Sequence, residues 1–204
     1  MHTYRIVEQG TPLKEAERAI ILIHGRGAPP EDILSLADFF ETQKTYVVAP
    51  EADHYVWYPL SFPAPRQQNQ PWLDSALENI TRLISEIEKY IPTEKIFVMG
   101  FSQGACLTAE VTSRNARKFG GIGIFTGGLI GDEPQRKNYD GNFNGTPVYL
   151  SNGDNDPHIP LQRTEDTFEI MQDLGAKITK EIFPGRPHTI VMEEIDKAKA
   201  LFNL

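Results

Sequence analysis

Cysteine is almost missing from this 204-residue chain. Cys106 stands alone, so no internal disulfide can form, and no Cys/His group has zinc-ligand spacing. Basic charge is also in short supply. Asp and Glu number 28 against 20 Lys and Arg, a net charge of −8, and a field of that sign repels nucleic-acid phosphates and anionic lipid. Nucleic acid is therefore not expected as a partner. Long apolar runs are lacking: the longest aliphatic stretch, Ala19–Ile23, is far short of the roughly 20 residues of a membrane helix. Met1–Gly10 has no apolar centre of a signal peptide. The expectations are no membrane span and a soluble, unexported chain, compatible with a reducing cytoplasm. Linker-like composition and internal repeats are missing too, so residues 1–204 read as one domain.

What is present is 40% apolar residues arranged as short β-type runs alternating with helical periods. Strands are expected at Tyr4–Glu8, Arg18–Ile23, Thr45–Ala49, Lys95–Met99, Gly121–Phe125, Val148–Ser151 and Lys177–Phe183. The first two have no helix between them and are expected to pair antiparallel. Trp72–Ile91 carries Leu73, Ala76, Leu77, Ile80, Ile84, Ile87 and Ile91 on one stripe, the signature of an amphipathic helix. A further helix should begin near Glu31, and others should span Gln103–Lys118, Leu161–Leu174 with Gly175 as its cap, and Ile190–Phe202. Such alternation implies an α/β fold, a mainly parallel central sheet of about seven strands with helices on both faces. In sheets of this kind ligands bind beyond the carboxyl ends of the strands.

Chemistry is found there. After the fourth run comes Gly100-Phe101-Ser102-Gln103-Gly104, followed at once by a helical pattern: a G-x-S-x-G elbow in a strand–turn–helix setting. Chance would supply about 0.04 such matches in a chain of this composition before that setting is demanded. A serine hydroxyl needs a base to take its proton, and the base needs an acid to fix its tautomer. After the sixth run stands Asn152-Gly153-Asp154-Asn155-Asp156-Pro157-His158-Ile159-Pro160, and after the seventh Pro184-Gly185-Arg186-Pro187-His188. Either aspartate could be the acid; an Asp beside Gly commonly serves its own turn, which favours Asp156. His158 shares the acid's loop and is a poor candidate base. His2 sits at the terminus and carries no signal. Arg18–Ile23 ends in His24-Gly25-Arg26-Gly27, the H-G-x-G form of a loop whose N–H groups donate to a developing negative oxygen, with a second donor on Gln103. Cys106 is expected to pack as a small apolar group, and the aromatic segment Tyr55, Trp57, Tyr58 and Phe62 reads equally as core packing or as cover for an acyl group.

These motifs, with Gly127-Gly128, resemble the phospholipase/carboxylesterase family of α/β-hydrolases, relatives of acyl-protein thioesterases and dienelactone hydrolases, from about residue 18 to the end. The resemblance implies Ser102 as nucleophile, Asp156 as acid and His188 as base. It implies an oxyanion hole from the Arg26 and Gln103 N–H groups, and Trp57, Tyr58 and Phe62 near an acyl pocket. Arg26 and the Arg186-Pro187 pair depart from the family's usual residues. No metal and no cofactor are called for, and the expected partner is a small-molecule ester, with thioesters or lysophospholipids as alternatives. A non-catalytic binding protein on the same scaffold is the competing class.

Overall fold

A computed structural model describes residues 1–204. Seven strands form one sheet: β1 (Ile6–Gly10), β2 (Arg18–Ile23), β3 (Thr45–Pro50), β4 (Ile96–Phe101), β5 (Gly121–Phe125), β6 (Pro147–Gly153) and β7 (Lys177–Phe183). Their spatial order is β1-β3-β2-β4-β5-β6-β7, and every pair is parallel except β1 with β3. The expected β1–β2 hairpin does not form. Both edges of β2 are taken by parallel partners, and β1 instead adds to the outer edge of β3, where Val7 lies opposite Ala49.

The central strands alternate sides, as the two-residue period of a strand demands. Ile21, Ile23, Val48 and Val98 face one apolar layer, covered by α3 (Trp72–Ile87), α4 (Gln103–Arg114) and α5 (Leu161–Asp173). Ile20, Leu22, Val47 and Met99 face the other, covered by α1 (Pro30–Leu34) and α6 (Met192–Phe202). Arg66–Asn69 adds a short α2. The helix expected from Glu31 is shorter than its apolar pattern, since it tightens into a 3₁₀ turn over Ser35–Phe39 before Phe40 extends. No helix is long and apolar enough to cross a membrane.

Register places the site. Ile23 aligns with Gly100, Phe101 with Phe125, Phe125 with Ser151, and Gly153 with Phe183. The residues that follow these strands therefore emerge along a single edge. Strand order reverses between β2 and β4, the place where such sheets open a crevice, and Ser102 follows β4 there.

Candidate active site

Ser102 is the residue before α4 and adopts φ +55°, ψ −119°, a region non-glycine residues avoid. The surroundings enforce that turn. A Cβ on Gly100 would lie 2.5 Å from the backbone of Gly104, and one on Gly104 would lie 2.0 Å from the Ile23 carbonyl oxygen. Both flanking glycines are thus close-approach points, and β2, β4 and α4 can meet only without side chains there. The Ser102 N–H donates to the Phe125 carbonyl at 3.1 Å, which fixes the elbow to β5.

The Ser102 hydroxyl donates to His188 Nε2 at 2.7 Å, and His188 Nδ1–H donates to Asp156 Oδ2 at 2.7 Å. The Asp156 carboxylate is fully buried, and its Oδ1 accepts the N–H groups of His158 (2.7 Å) and Ile159 (3.1 Å). This chain of hydrogen bonds can pass a proton from Oγ to Nε2 and hold the resulting imidazolium against a carboxylate. Asp154 goes elsewhere: it accepts the Gly185 N–H at 2.5 Å, tying its own loop to the one that bears His188. His158 packs edge-on against His188 with centroids 4.9 Å apart, and makes no contact of its own with Ser102 that would suit a base.

A cavity of about 580 Å³ opens over Ser102 and His188. Tyr58, Phe62 and Ile159 give it apolar walls, and Arg26, Gln103 and His158 polar ones. Trp57 does not line it. That residue is fully buried, its ring stacked on His24 at 4.9 Å and its Nε1–H donated to the His24 carbonyl at 3.0 Å, so it packs behind the wall while its neighbour Tyr58 faces the cavity. Cys106 packs buried, as the sequence implies. It also contributes to the cavity lining beside the Tyr58 hydroxyl, and burial pushes its thiol up to about 12.

The side chains of Arg26 and Gln103 make contacts that the motifs did not announce. The Gln103 side chain accepts the Trp57 N–H (2.9 Å) and donates to the Tyr58 carbonyl (2.9 Å), while the Arg26 guanidinium donates to the carbonyls of Tyr58, Pro59 and Leu60. The aromatic wall is thereby clamped to the two loops that border Ser102. Gln103 also opens α4, so its N–H belongs to the first turn, whose donors have no helical acceptor and point at anions.

Two buried histidines stiffen the same wall. His24 donates from Nδ1 to the Gly25 carbonyl (2.8 Å) and accepts the Ala52 N–H at Nε2 (3.2 Å), which makes it a neutral strut rather than a base. His2 is not frayed: it is buried, donates from Nε2 to the Trp57 carbonyl (2.8 Å) and accepts the Asp53 N–H at Nδ1 (3.1 Å). Burial lowers the pKa of both. No three His, Cys, Asp or Glu side chains converge as a metal-binding group.

The family model described as Phospholipase/Carboxylesterase matches residues 3–204, so the match takes in β1 as well as the motif-bearing region. A solved phospholipase/carboxylesterase from Dyadobacter fermentans DSM 18053 superposes with a TM-score of 0.97 at 46% identity, covering 100% of this chain and 98% of that one. A probable carboxylesterase of Oryza sativa subsp. japonica is 27% identical over 194 residues, 86% of this chain and 73% of that protein. Acyl-protein thioesterase 1 of Gibberella zeae is 31% identical over 118 residues, 56% of this chain, and the chain spans about half the length of that relative (50%).

Proposed function

The chain belongs to the phospholipase/carboxylesterase family of α/β-hydrolases, and on that premise we propose that it is a serine hydrolase cleaving carboxylic esters through an acyl-Ser102 intermediate. The observation that carries the reading is the unbroken hydrogen-bonded path Ser102–His188–Asp156 at the edge of a cavity, with the serine held in a strained turn. In the first half-reaction His188 Nε2 takes the hydroxyl proton as Oγ bonds to the ester carbonyl carbon. Asp156 stabilises the imidazolium, and the N–H groups of Arg26 and Gln103 donate to the carbonyl oxygen as it becomes negative. His188 then gives its proton to the departing alkoxide, the C–O bond breaks, and the alcohol leaves. Water then attacks the acyl carbon as His188 takes its proton, the acyl C–Oγ bond breaks, and His188 returns the proton to Oγ as the carboxylic acid is released.

The cavity size is in the range that holds a small organic ligand, and its apolar portion comes from Tyr58, Phe62, Cys106 and Ile159 with adjoining prolines. Short to medium acyl groups of about four to eight carbons are the proposed optimum, because each buried methylene contributes about 0.8 kcal/mol only while wall remains to cover it. Thioester hydrolysis is a second reading, favoured by the likeness to an acyl-protein thioesterase. A reducing cytoplasm suits the single reduced thiol and is the proposed compartment. The test is a panel of p-nitrophenyl esters from acetate to palmitate beside the matching acyl-thioesters, run with the wild type and Ser102→Ala. Turnover of any member that disappears in a folded Ser102→Ala supports the reading. Wild-type inertness toward the whole panel points to a binding protein, and turnover that survives the substitution removes Ser102 from its role.

A further inference from the structure

We propose that the buried Arg186–Glu194 ion pair is a positioning device for His188, holding both flanks of the loop that presents the imidazole to Ser102. The proposal rests on the reading of His188 as general base. Neither member is free to act as an ordinary surface charge: Arg186 is 6% exposed and Glu194 is fully buried. Arg186 Nη1 donates to the Thr189 carbonyl at 2.5 Å and pairs with Glu194 Oε2, while Nη2 donates to Thr126 Oγ1 at 3.0 Å. Glu194 in turn accepts the Ser151 hydroxyl and, at 2.8 Å, the Val191 N–H. One guanidinium–carboxylate unit therefore joins the ends of β5 and β6, the loop after β7 and the first turn of α6.

The connection brackets His188. Arg186 stands two residues before the imidazole and Thr189 one after it, and both are held by the same planar fork. The Arg186 carbonyl oxygen is close-packed as well, since a Cβ on Gly153 would lie 2.0 Å from it. Stability alone is a weak reason for such a pair: two charges removed from water recover little more than their desolvation cost, and apolar residues of like volume commonly serve as well or better. A guanidinium fork does fix the direction of several acceptors at once, which an apolar pair cannot do. His188 Nε2 must meet Oγ within a few tenths of an ångström, and a misplacement near 1 Å in such sites costs about a hundredfold in rate.

The discriminating experiment separates stability from rate. Arg186→Met alone leaves the Glu194 carboxylate buried without its partner and should lower Tm strongly, whereas the double variant Arg186→Met/Glu194→Met should recover part of that Tm, the buried charge being gone though the Val191 N–H, Ser151 and Thr189 lose their partners. With p-nitrophenyl butyrate, or the panel ester the wild type turns over fastest, the double variant is expected to keep KM within about twofold while kcat stays down by roughly 10- to 100-fold. Fluorophosphonate labelling of Ser102 should slow in parallel. Recovery of kcat together with Tm would make the pair merely structural and overturn the proposal. Should the double variant fail to fold, Arg186→Lys retains the charge that Glu194 needs but cannot reach Thr126 and Thr189 together. A tenfold or greater loss of kcat at unchanged KM is expected for it, and wild-type kcat would refute the proposal. An inert wild type, or an active Ser102→Ala, would instead remove the underlying serine-hydrolase reading.

Discussion

Replacing Trp57 by alanine tests how the wall of the cavity is built. The ring is fully buried, stacked on His24 and edge-on to His2, and its Nε1–H satisfies the His24 carbonyl. Truncating a buried tryptophan costs about 3–5 kcal/mol, a large part of the 5–15 kcal/mol that holds a typical domain together. At about 2–4 °C per kcal/mol for a chain of this length, Tm should fall by roughly 6–20 °C. Activity of the folded fraction should also fall, because the loop carrying Arg26 follows His24; loss of one oxyanion donor costs at most about 10²–10³ in kcat. Acyl-chain preference should stay as it is, since Trp57 does not line the cavity, whereas Phe62→Ala should flatten it. Trp57→Phe keeps an aromatic face against His24 while removing the donor to the His24 carbonyl, so it should cost less than Trp57→Ala but no less than an unpaired buried acceptor does, about 1–3 kcal/mol. Urea denaturation combined with kcat/KM across the ester panel reads all of these quantities. A Trp57→Ala protein of normal stability with an altered chain-length optimum would refute the reasoning and return Trp57 to the substrate's side of the wall.

The two aspartates of the β6 loop should separate cleanly in steady-state kinetics: Asp156→Asn is expected to lower kcat by about 10⁴, while Asp154→Ala, which loses only the Gly185 contact, should cost about tenfold or less and mainly lower Tm; the reverse order would exchange their roles. Acid should weaken the fold through His2 and His24. Burial lowers both below 6.5, so the unfolded chain binds protons that the folded one refuses, and stability should be intact above pH 6.5 and fall as pH drops below it. His2→Gln should make that fall shallower in urea titrations between pH 7.5 and 5.5, and an unchanged pH dependence would contradict the assignment. Cys106, with its thiol raised to about 12, should resist iodoacetamide at pH 8 in the folded protein and react on unfolding; rapid labelling of the native chain would contradict its burial.

Much of the architecture is written locally. The apolar runs at Arg18–Ile23, Gly121–Phe125 and Lys177–Phe183 are strands with those bounds, and the other strands are displaced or extended by only one or two residues at each end. Glycines at 100 and 104 declare a close approach of backbones, and order along the chain places Ser102, the aspartate loop and His188 after successive strands. What escaped the sequence depends on partners distant in the chain. β1 pairs with β3 because both edges of β2 are already occupied, a fact of the whole sheet rather than of the residues between β1 and β2. Trp57 and Tyr58 are adjacent and equally apolar, and in a segment without a helical or strand period nothing local says which faces the cavity. His2 is ordered only because Trp57, Trp72 and Ser75, more than fifty residues away, close around it. The Arg186–Glu194 pair was likewise invisible, since Arg186 reads as a departure from the family pattern until Thr126, Ser151 and Glu194 are seen around it.

The central claim, that Ser102 is a nucleophile activated by His188, is tested most directly by covalent capture. Intact-protein mass spectrometry after exposure to a fluorophosphonate should show one adduct per chain, mapped by peptide analysis to Ser102. The adduct should be absent from Ser102→Ala and formed several orders of magnitude more slowly in His188→Gln. No adduct on the folded wild type, an adduct on another residue, or equal labelling rates with and without His188 would contradict the account.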